Sequence, residues 1–465
     1  MRQTNFALAL VAAAVLSACG GSDNNTSAAP AKPVFAAQIN FGDSLSDVGT
    51  YQVGTVAALG GGRYTINGDN TVTNAKLTGK IWPELMASSL ALGASCPAVK
   101  GLDGAAAQGF AVPITNNLTC TNYAMGGARV TNPVGPGHKL TGAPIGQLTI
   151  PLVTQVATHL SRNGGAFKAT DVVFVMAGGN DALSLLGGLT AAATAAGNAE
   201  GAKVGAQTFA TVLATGLGAT ATNPATATAA IGAAIAAESA RPGSTSTTIV
   251  GAAVQASATQ PGNSATASPA VYGPIVVKAQ TDAAAAGAAA GAAAGAKYGT
   301  DNGPALVPAM GVAGKELADL IRTQIIGKGA KYVVINNLPD LSTTPSGMKA
   351  SAAQRSLING MVNSFNIALR VGIDGLDANF VYVDLYTASV DQIANPAKYG
   401  ISNATTPACG ANALGTTSLA CNKANTLAGI DVSSYLFADD VHPTPFGSSL
   451  IHKAVLDAMT ARGWK

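Results

Sequence analysis

Two short stretches near opposite ends of the chain carry the residue types that nucleophilic chemistry needs: GDSLSD at 42–47 and FADDVHPTPFG at 437–447. A serine hydroxyl is a poor nucleophile unless a base within hydrogen-bond reach takes its proton and a third group orients that base. Ser44 follows the apolar run VFAAQINF, and the chain holds no GxSxG elbow to present a serine in the usual way. Only four histidines can serve as the base: His138, His159, His442 and His452. His442 has Asp439 three residues before it, so one turn of backbone can bring a carboxylate to Nδ1 and leave Nε2 free. Asp440 is the rival orienter, with worse reach because only Val441 separates it from the histidine. His138 sits in the Gly/Pro-rich VGPGHKL and reads as a loop residue, whereas His159 and His452 fall on helix flanks and read as structural.

Acyl transfer also needs donors aimed at the charge that appears on the carbonyl oxygen. Two further stretches offer them, NYAMGGA at 122–128 and AGGND at 177–181. Gly127 can present a backbone N–H with no side chain in the way, and Asn180 can present its side-chain amide. The glycine pair leaves the register open by one residue, so Gly126 is the alternative to Gly127.

These stretches must be carried by rigid elements. Short β-branched or aromatic runs ending in Gly, Asn or Asp alternate with helical patterns, which predicts a parallel α/β sheet. The candidate strands are AAQINF (36–41), LTCTNYA (118–124), DVVFVMA (171–177), KYVVINNL (331–338) and NFVYVDLY (379–386), apolar on both faces as buried parallel strands should be. Val153, Val156 and Leu160 mark one amphipathic helix; Leu317, Leu320, Ile321 and Ile325 mark another that stops at Gly327; Ile451, Ala454, Val455 and Ala458 mark a C-terminal one. Ligands of such a doubly wound sheet belong at the carboxyl ends of its strands. A long Ala/Gly/Thr-rich tract, 188–308, interrupts the pattern, and in it Gly287, Gly291 and Gly295 recur every fourth residue, a spacing that lets helices approach closely. It reads either as a helical cap beside the site or as a packed surface insertion.

GDSLSD, NYAMGGA, GGND and DDVHP, in that order, resemble the SGNH (GDSL) hydrolase family, and particularly its secreted bacterial lipases, esterases and lecithinase-like hemolysins. INNLPDLSTTP at 335–345 and YLFADDVHPTPFG at 435–447 extend the likeness, which covers about 36–187 and 309–462. The resemblance implies a flavodoxin-like three-layer α/β sandwich with a central parallel sheet of about five strands, here carrying a large Ala-rich helical insertion. It implies no metal and no cofactor. By the same likeness Ser44 is nucleophile and oxyanion donor, Gly127 and Asn180 are the other donors, and His442 is the base with Asp439 behind it. The implied activity is cleavage of carboxylic esters through an acyl-enzyme on Ser44, phospholipid esters included. The Ala-rich tract has no counterpart in the family's minimal core, which leaves substrate reach open.

The beginning of the chain reads as an export signal: Arg2, then the apolar FALALVAAAVL, then LSAC at 16–19, which resembles the lipobox of bacterial lipoproteins. On that reading residues 1–18 are removed, Cys19 carries the lipid, 19–33 is a flexible tether, and 34–462 is the hydrolase domain, interrupted at 188–308. Gly20 and Gly21 resemble the residues that follow the lipidated cysteine of outer-membrane lipoproteins, so the expected location is the outer membrane or outside the cell, with membrane contact through the lipid alone. A net charge of +3 with no Lys/Arg run excludes an electrostatic nucleic-acid binder. The order of the remaining cysteines suggests Cys96 with Cys120 and Cys409 with Cys421 as structural disulfides, although four cysteines allow three pairings. Aromatic residues make up 5% of the chain, little support for a sugar-stacking platform, so an ester of a fatty acid or small alcohol is the preferred substrate. A carbohydrate O-acetyl esterase of the same fold and a non-catalytic surface lipoprotein are the competing readings.

Overall fold

The computed structural model describes residues 32–68 and 74–465. The signal segment, Cys19 and the tether as far as residue 31 lie outside the described residues. Four strands, Ala37–Gly42 (β1), Asp171–Met176 (β4), Tyr332–Asn336 (β5) and Phe380–Val383 (β6), form a parallel sheet in the order β1-β4-β5-β6; Val99–Asp103 (β2) and Ala111–Asn116 (β3) pair separately as an antiparallel ribbon. The α-helices are Gly54–Ala58 (α1), Trp82–Ser89 (α2), Leu152–Arg162 (α3), Gly179–Gly218 (α4), Pro224–Ser239 (α5), Ser246–Ala258 (α6), Pro269–Asn302 (α7), Leu306–Leu320 (α8), Pro345–Lys349 (α9), Ala352–Gly372 (α10), Leu385–Ala394 (α11) and Pro445–Ala461 (α12).

Side chains alternate across a strand, and here both sides are apolar because both are covered. Ile39, Phe41, Val173, Val175, Val333 and Ile335 pack with Leu152, Val156, Leu317 and Phe365 of α3, α8 and α10. On the other side Val172, Phe174, Val334, Val381 and Val383 pack with Trp82, Met86, Val455 and Met459 of α2 and α12. That is a three-layer sandwich. Fully burying one such side chain stabilises the fold by about 1.5–3 kcal/mol. Gly42, Met176, Asn336 and Val383 lie in one register row at the carboxyl edge, so the loops leaving these strands emerge side by side.

The expected fifth strand, 118–124, is corrected to an irregular segment. It runs beside β1 through Asn40 N–H to Thr121 O (3.0 Å) and Tyr123 N–H to Asn40 O (2.8 Å), but pairs only as an isolated bridge at Asn122. Asn122 also bridges to Pro97, and its side chain donates to Ser46 O (3.0 Å), so its hydrogen bonds are shared among three segments rather than given to one ladder. The helix expected to stop at Gly327 instead continues from α8 through a π turn, Ile321–Ile325, and ends at Gly329 in the left-handed region.

The Ala-rich tract is helical throughout most of its length. Its glycines explain how α4 and α7 meet: a methyl group added at Gly197 would lie 2.7 Å from Gly291 O, and one at Gly201 would lie 2.8 Å from Gly287 O. Any larger residue forces the two backbones apart. Leu213, Leu217, Ile231, Ile235, Ala253 and Ala279 build a separate small core among α4 to α7. At 1.5 Å per residue, Leu213 lies about 50 Å along α4 from Asn180, so this core is far from the strand ends rather than over them. No described helix is long and apolar enough to cross a membrane.

His159 is a core histidine, caged by Phe41, Tyr123 and Phe167, with Nδ1 3.3 Å from Tyr123 Oη and Nε2 without a partner. Burial, reinforced by the positive charges of Lys168 and Arg162, lowers its pKa from 6.5 to about 4. Between those values the unfolded chain binds a proton that the folded one refuses, so stability falls as pH drops through that window. Denaturant midpoints measured from pH 7 to pH 5 should therefore decline in the wild type and decline less in His159→Phe.

Candidate active site

The turn after β1 is held in shape before any catalytic group is considered. Gln155 on α3 accepts from Gly42 N–H and donates to Gly42 O, both at 2.9 Å, clamping the end of the strand. Asp43 accepts from Leu45 N–H (3.1 Å), and Asp47, fully buried, accepts from Gly49, Thr50 and Gly126 N–H (2.9, 2.7 and 2.9 Å). Ser44 is thereby presented on a tight turn at the strand's carboxyl end, 7% exposed. Burial pushes the Asp43 carboxyl up to about 7, against the pull of Leu45 N–H and His442.

His442 arrives on a hairpin closed by the Phe437–Pro443 bridge and Ala438 N–H to His442 O (2.7 Å). Its Nε2 stands 2.8 Å from Ser44 Oγ, across 398 residues of sequence. Its Nδ1 is 2.9 Å from both carboxylate oxygens of Asp439. Asp439 also accepts from Val441 N–H (2.9 Å), His442 N–H (2.8 Å) and Ser418 N–H (2.7 Å). Burial works against this charge, yet the histidine and the N–H donors together hold the carboxyl well below the usual carboxylate range. Asp440 is turned away: its carboxylate pairs with Lys349 Nζ (2.8 and 2.9 Å) and its carbonyl accepts from Ser346 N–H (3.0 Å), which ties α9 to the hairpin.

The two glycines of NYAMGGA differ. Gly126 spends its N–H on Asp47, and a methyl group added to it would lie 2.3 Å from the Tyr64 ring, whose centroid is 4.7 Å from that of His442. Gly127 has φ +78°, and its added methyl would lie 2.4 Å from Pro136 O. Among the described residues neither Gly127 N–H nor Ser44 N–H has an acceptor. Both can therefore donate to an incoming oxygen. GGND clasps the same loop from β4: Asn180 Nδ2 donates to Ala128 O (2.9 Å), and Asp181 accepts from Val130 N–H (3.1 Å) and Arg129 Nε (3.0 Å). One amide hydrogen of Asn180 remains uncommitted.

Ser44, His442, Asp439, Gly127 and Asn180 are thus brought to one edge of the sheet. The other histidines are not: His138 caps a short 3-10 turn at Leu140 N–H (3.2 Å), and His452 pairs with Ser89 Oγ (2.9 Å). Disulfides join Cys96 to Cys120 and Cys409 to Cys421. Sequence reasoning missed Asp47, Tyr64, Gln155 and Ser418. Asp47 was visible as the second acid of GDSLSD, but the others act through long-range contacts that no local pattern announces.

The parallel sandwich thus carries a Ser-His-Asp hydrogen-bonded line at its carboxyl edge. The chain belongs to the GDSL-like Lipase/Acylhydrolase family, which it matches over residues 39–224 and 307–455. The unmatched 225–306 contains α6, α7 and all of α5 but its first residue. Among similar proteins of Arabidopsis thaliana are "GDSL esterase/lipase APG", 27% identical over 142 residues (29% of this chain, 40% of that protein), and "GDSL esterase/lipase At1g20120", 33% identical over 132 residues (26% and 32%). "Anther-specific proline-rich protein APG" is 30% identical over 139 residues (29% and 26%). The chain spans well under two thirds of the length of each of these relatives.

Proposed function

We propose that this protein is a serine esterase or lipase that cleaves carboxylic esters through an acyl-enzyme on Ser44. The observation that carries the reading is the unbroken line from Ser44 Oγ to His442 Nε2 (2.8 Å) and from His442 Nδ1 to Asp439 (2.9 Å). His442 takes the hydroxyl proton as Ser44 attacks the carbonyl carbon, and Asp439 stabilises the imidazolium. The same proton then passes to the departing alcohol, and water repeats the sequence to release the acid. Ser44 N–H, Gly127 N–H and the free amide hydrogen of Asn180 receive the negative oxygen. Removing one such donor costs about 10²–10³ in kcat, so Asn180→Ala should lose that much with KM little changed, as steady-state kinetics on one ester would read. Loss confined to KM would deny Asn180 this role.

Export and lipidation at Cys19 belong to the same reading and rest on the signal and LSAC at the beginning of the chain. Residues 34–462 form the hydrolase domain, and the lipid would hold it at the outer membrane or outside the cell. Its substrate is the ester of a fatty acid or small alcohol, phospholipids included. Hydrolysis of p-nitrophenyl esters from acetate to palmitate tests this directly. Turnover of several chain lengths is the expected result. Release of acetate from acetylated glycans with no longer ester cleaved would point instead to a carbohydrate deacetylase, and no turnover of either would sink the reading.

A further inference from the structure

Among the described residues, the Asp439 carboxylate has one hydrogen bond from outside its own turn. Val441 N–H, His442 N–H and His442 Nδ1 all belong to the hairpin that carries it, whereas Ser418 N–H reaches it from 21 residues away at 2.7 Å. Ser418 is fully buried, and its hydroxyl has no partner among the described residues, so the backbone makes this contact. It begins a 3-10 turn, Ser418–Ala420, closed by Cys421 N–H to Ser418 O (3.0 Å).

That turn is pinned from two directions. Cys421 is bonded to Cys409, whose N–H donates to Ala438 O (2.9 Å), the residue just before Asp439. The disulfide therefore joins the donor's turn to the acceptor's hairpin. On the other side Asn67 donates from its side chain to Ser418 O (3.3 Å) and Cys421 O (3.0 Å), and Gly62 N–H donates to Leu419 O (2.9 Å). The segment so attached, 60–68, carries Tyr64, whose ring lies against His442.

We infer that the main-chain N–H of Ser418, held in place by the Cys409–Cys421 bridge, positions the Asp439 carboxylate for catalysis. This rests on the hydrolase reading above. A carboxylate that leaves this seat no longer aligns the imidazole, so a loss of at least about tenfold in kcat follows when the seat is destroyed.

Ser418→Pro tests it. Proline is well tolerated at the first position of a helical turn, and Thr417 before it already has the extended conformation (φ −76°, ψ 140°) that a following proline requires. The substitution removes the N–H and puts a ring carbon where the proton was, expelling the carboxylate. The expected result is a folded protein with kcat down at least about tenfold and KM within about threefold. Ser418→Ala, the conservative variant that keeps the N–H, should restore kcat. Cys409→Ser/Cys421→Ser should lower kcat in the same direction as Ser418→Pro with KM little changed, and carries the test if the proline variant fails to fold. Retained kcat in the proline or double-serine variant overturns the inference, as does an alanine variant that falls as far as the proline one. Wild-type turnover that survives Ser44→Ala would instead overturn the assignment of the acyl-enzyme to Ser44 on which this inference rests.

Discussion

Ser44→Ala should lose on the order of 10⁴–10⁶ in kcat on any ester the wild type cleaves, while its melting temperature stays close to that of the wild type. The size follows from what is removed: without Oγ there is no acyl-enzyme, and only oriented binding and the oxyanion donors remain, which elsewhere leave a residual of about 10³–10⁴ over water. Stability is spared because, among the described residues, the Ser44 hydroxyl bonds only to His442, whereas the turn itself is held by Asp43, Asp47 and Gln155. His442→Ala should fall as far, and the double variant no farther, since the two groups act as one unit. Active-site titration with a serine-directed phosphonate, alongside thermal melting, separates lost chemistry from lost fold. A Ser44→Ala protein keeping more than about one percent of wild-type kcat would assign the nucleophile elsewhere.

Asp439→Asn is expected to cost about 10⁴ in kcat, by analogy with the same exchange in other Ser-His-Asp sites, where the neutral amide selects the wrong imidazole tautomer. The local geometry makes this sharper. One carboxylate oxygen accepts from Val441 and His442 N–H, the other from Ser418 N–H, and both face His442 Nδ1. An amide NH₂ must therefore confront an N–H on whichever side it points, leaving buried donors unpaired at about 1–3 kcal/mol. Loss of stability should accompany the loss of rate. Asp440→Asn is the contrasting control: its side chain makes only an exposed pair with Lys349, worth about 0–1 kcal/mol, so kcat should stay within about twofold. Denaturant midpoints and saturating kinetics on both variants would check this. An Asp439→Asn enzyme within tenfold of wild type would remove Asp439 from the relay.

Much of the architecture was legible because it is a local property. Alternation of apolar runs with amphipathic segments announced the buried parallel strands and the helices at 152–162 and 445–461. The segment at 118–124 has the right composition for a strand, yet its hydrogen bonds are divided among β1, Pro97 and Ser46, a matter of neighbours and not of residue type. Chemistry was legible where a residue type is scarce: four histidines in 465 residues, one of them three positions after an aspartate, left a short search.

The sequence by itself therefore determined the layered α/β class, the groups chemically able to act, and the small-residue period on which α4 and α7 close. Only the tertiary structure decided which glycine of the pair keeps a free N–H, because that depends on Asp47 claiming Gly126 from 79 residues away. It also decided that Asp439 rather than Asp440 faces the ring, that the Ala-rich helices lead away from the site, and that Ser418 reaches the Asp439 carboxylate. The physical reason is common to all four. Hydrogen bonds and close contacts between segments distant in sequence are set by the packing of whole elements, and composition and spacing along the chain carry no record of them.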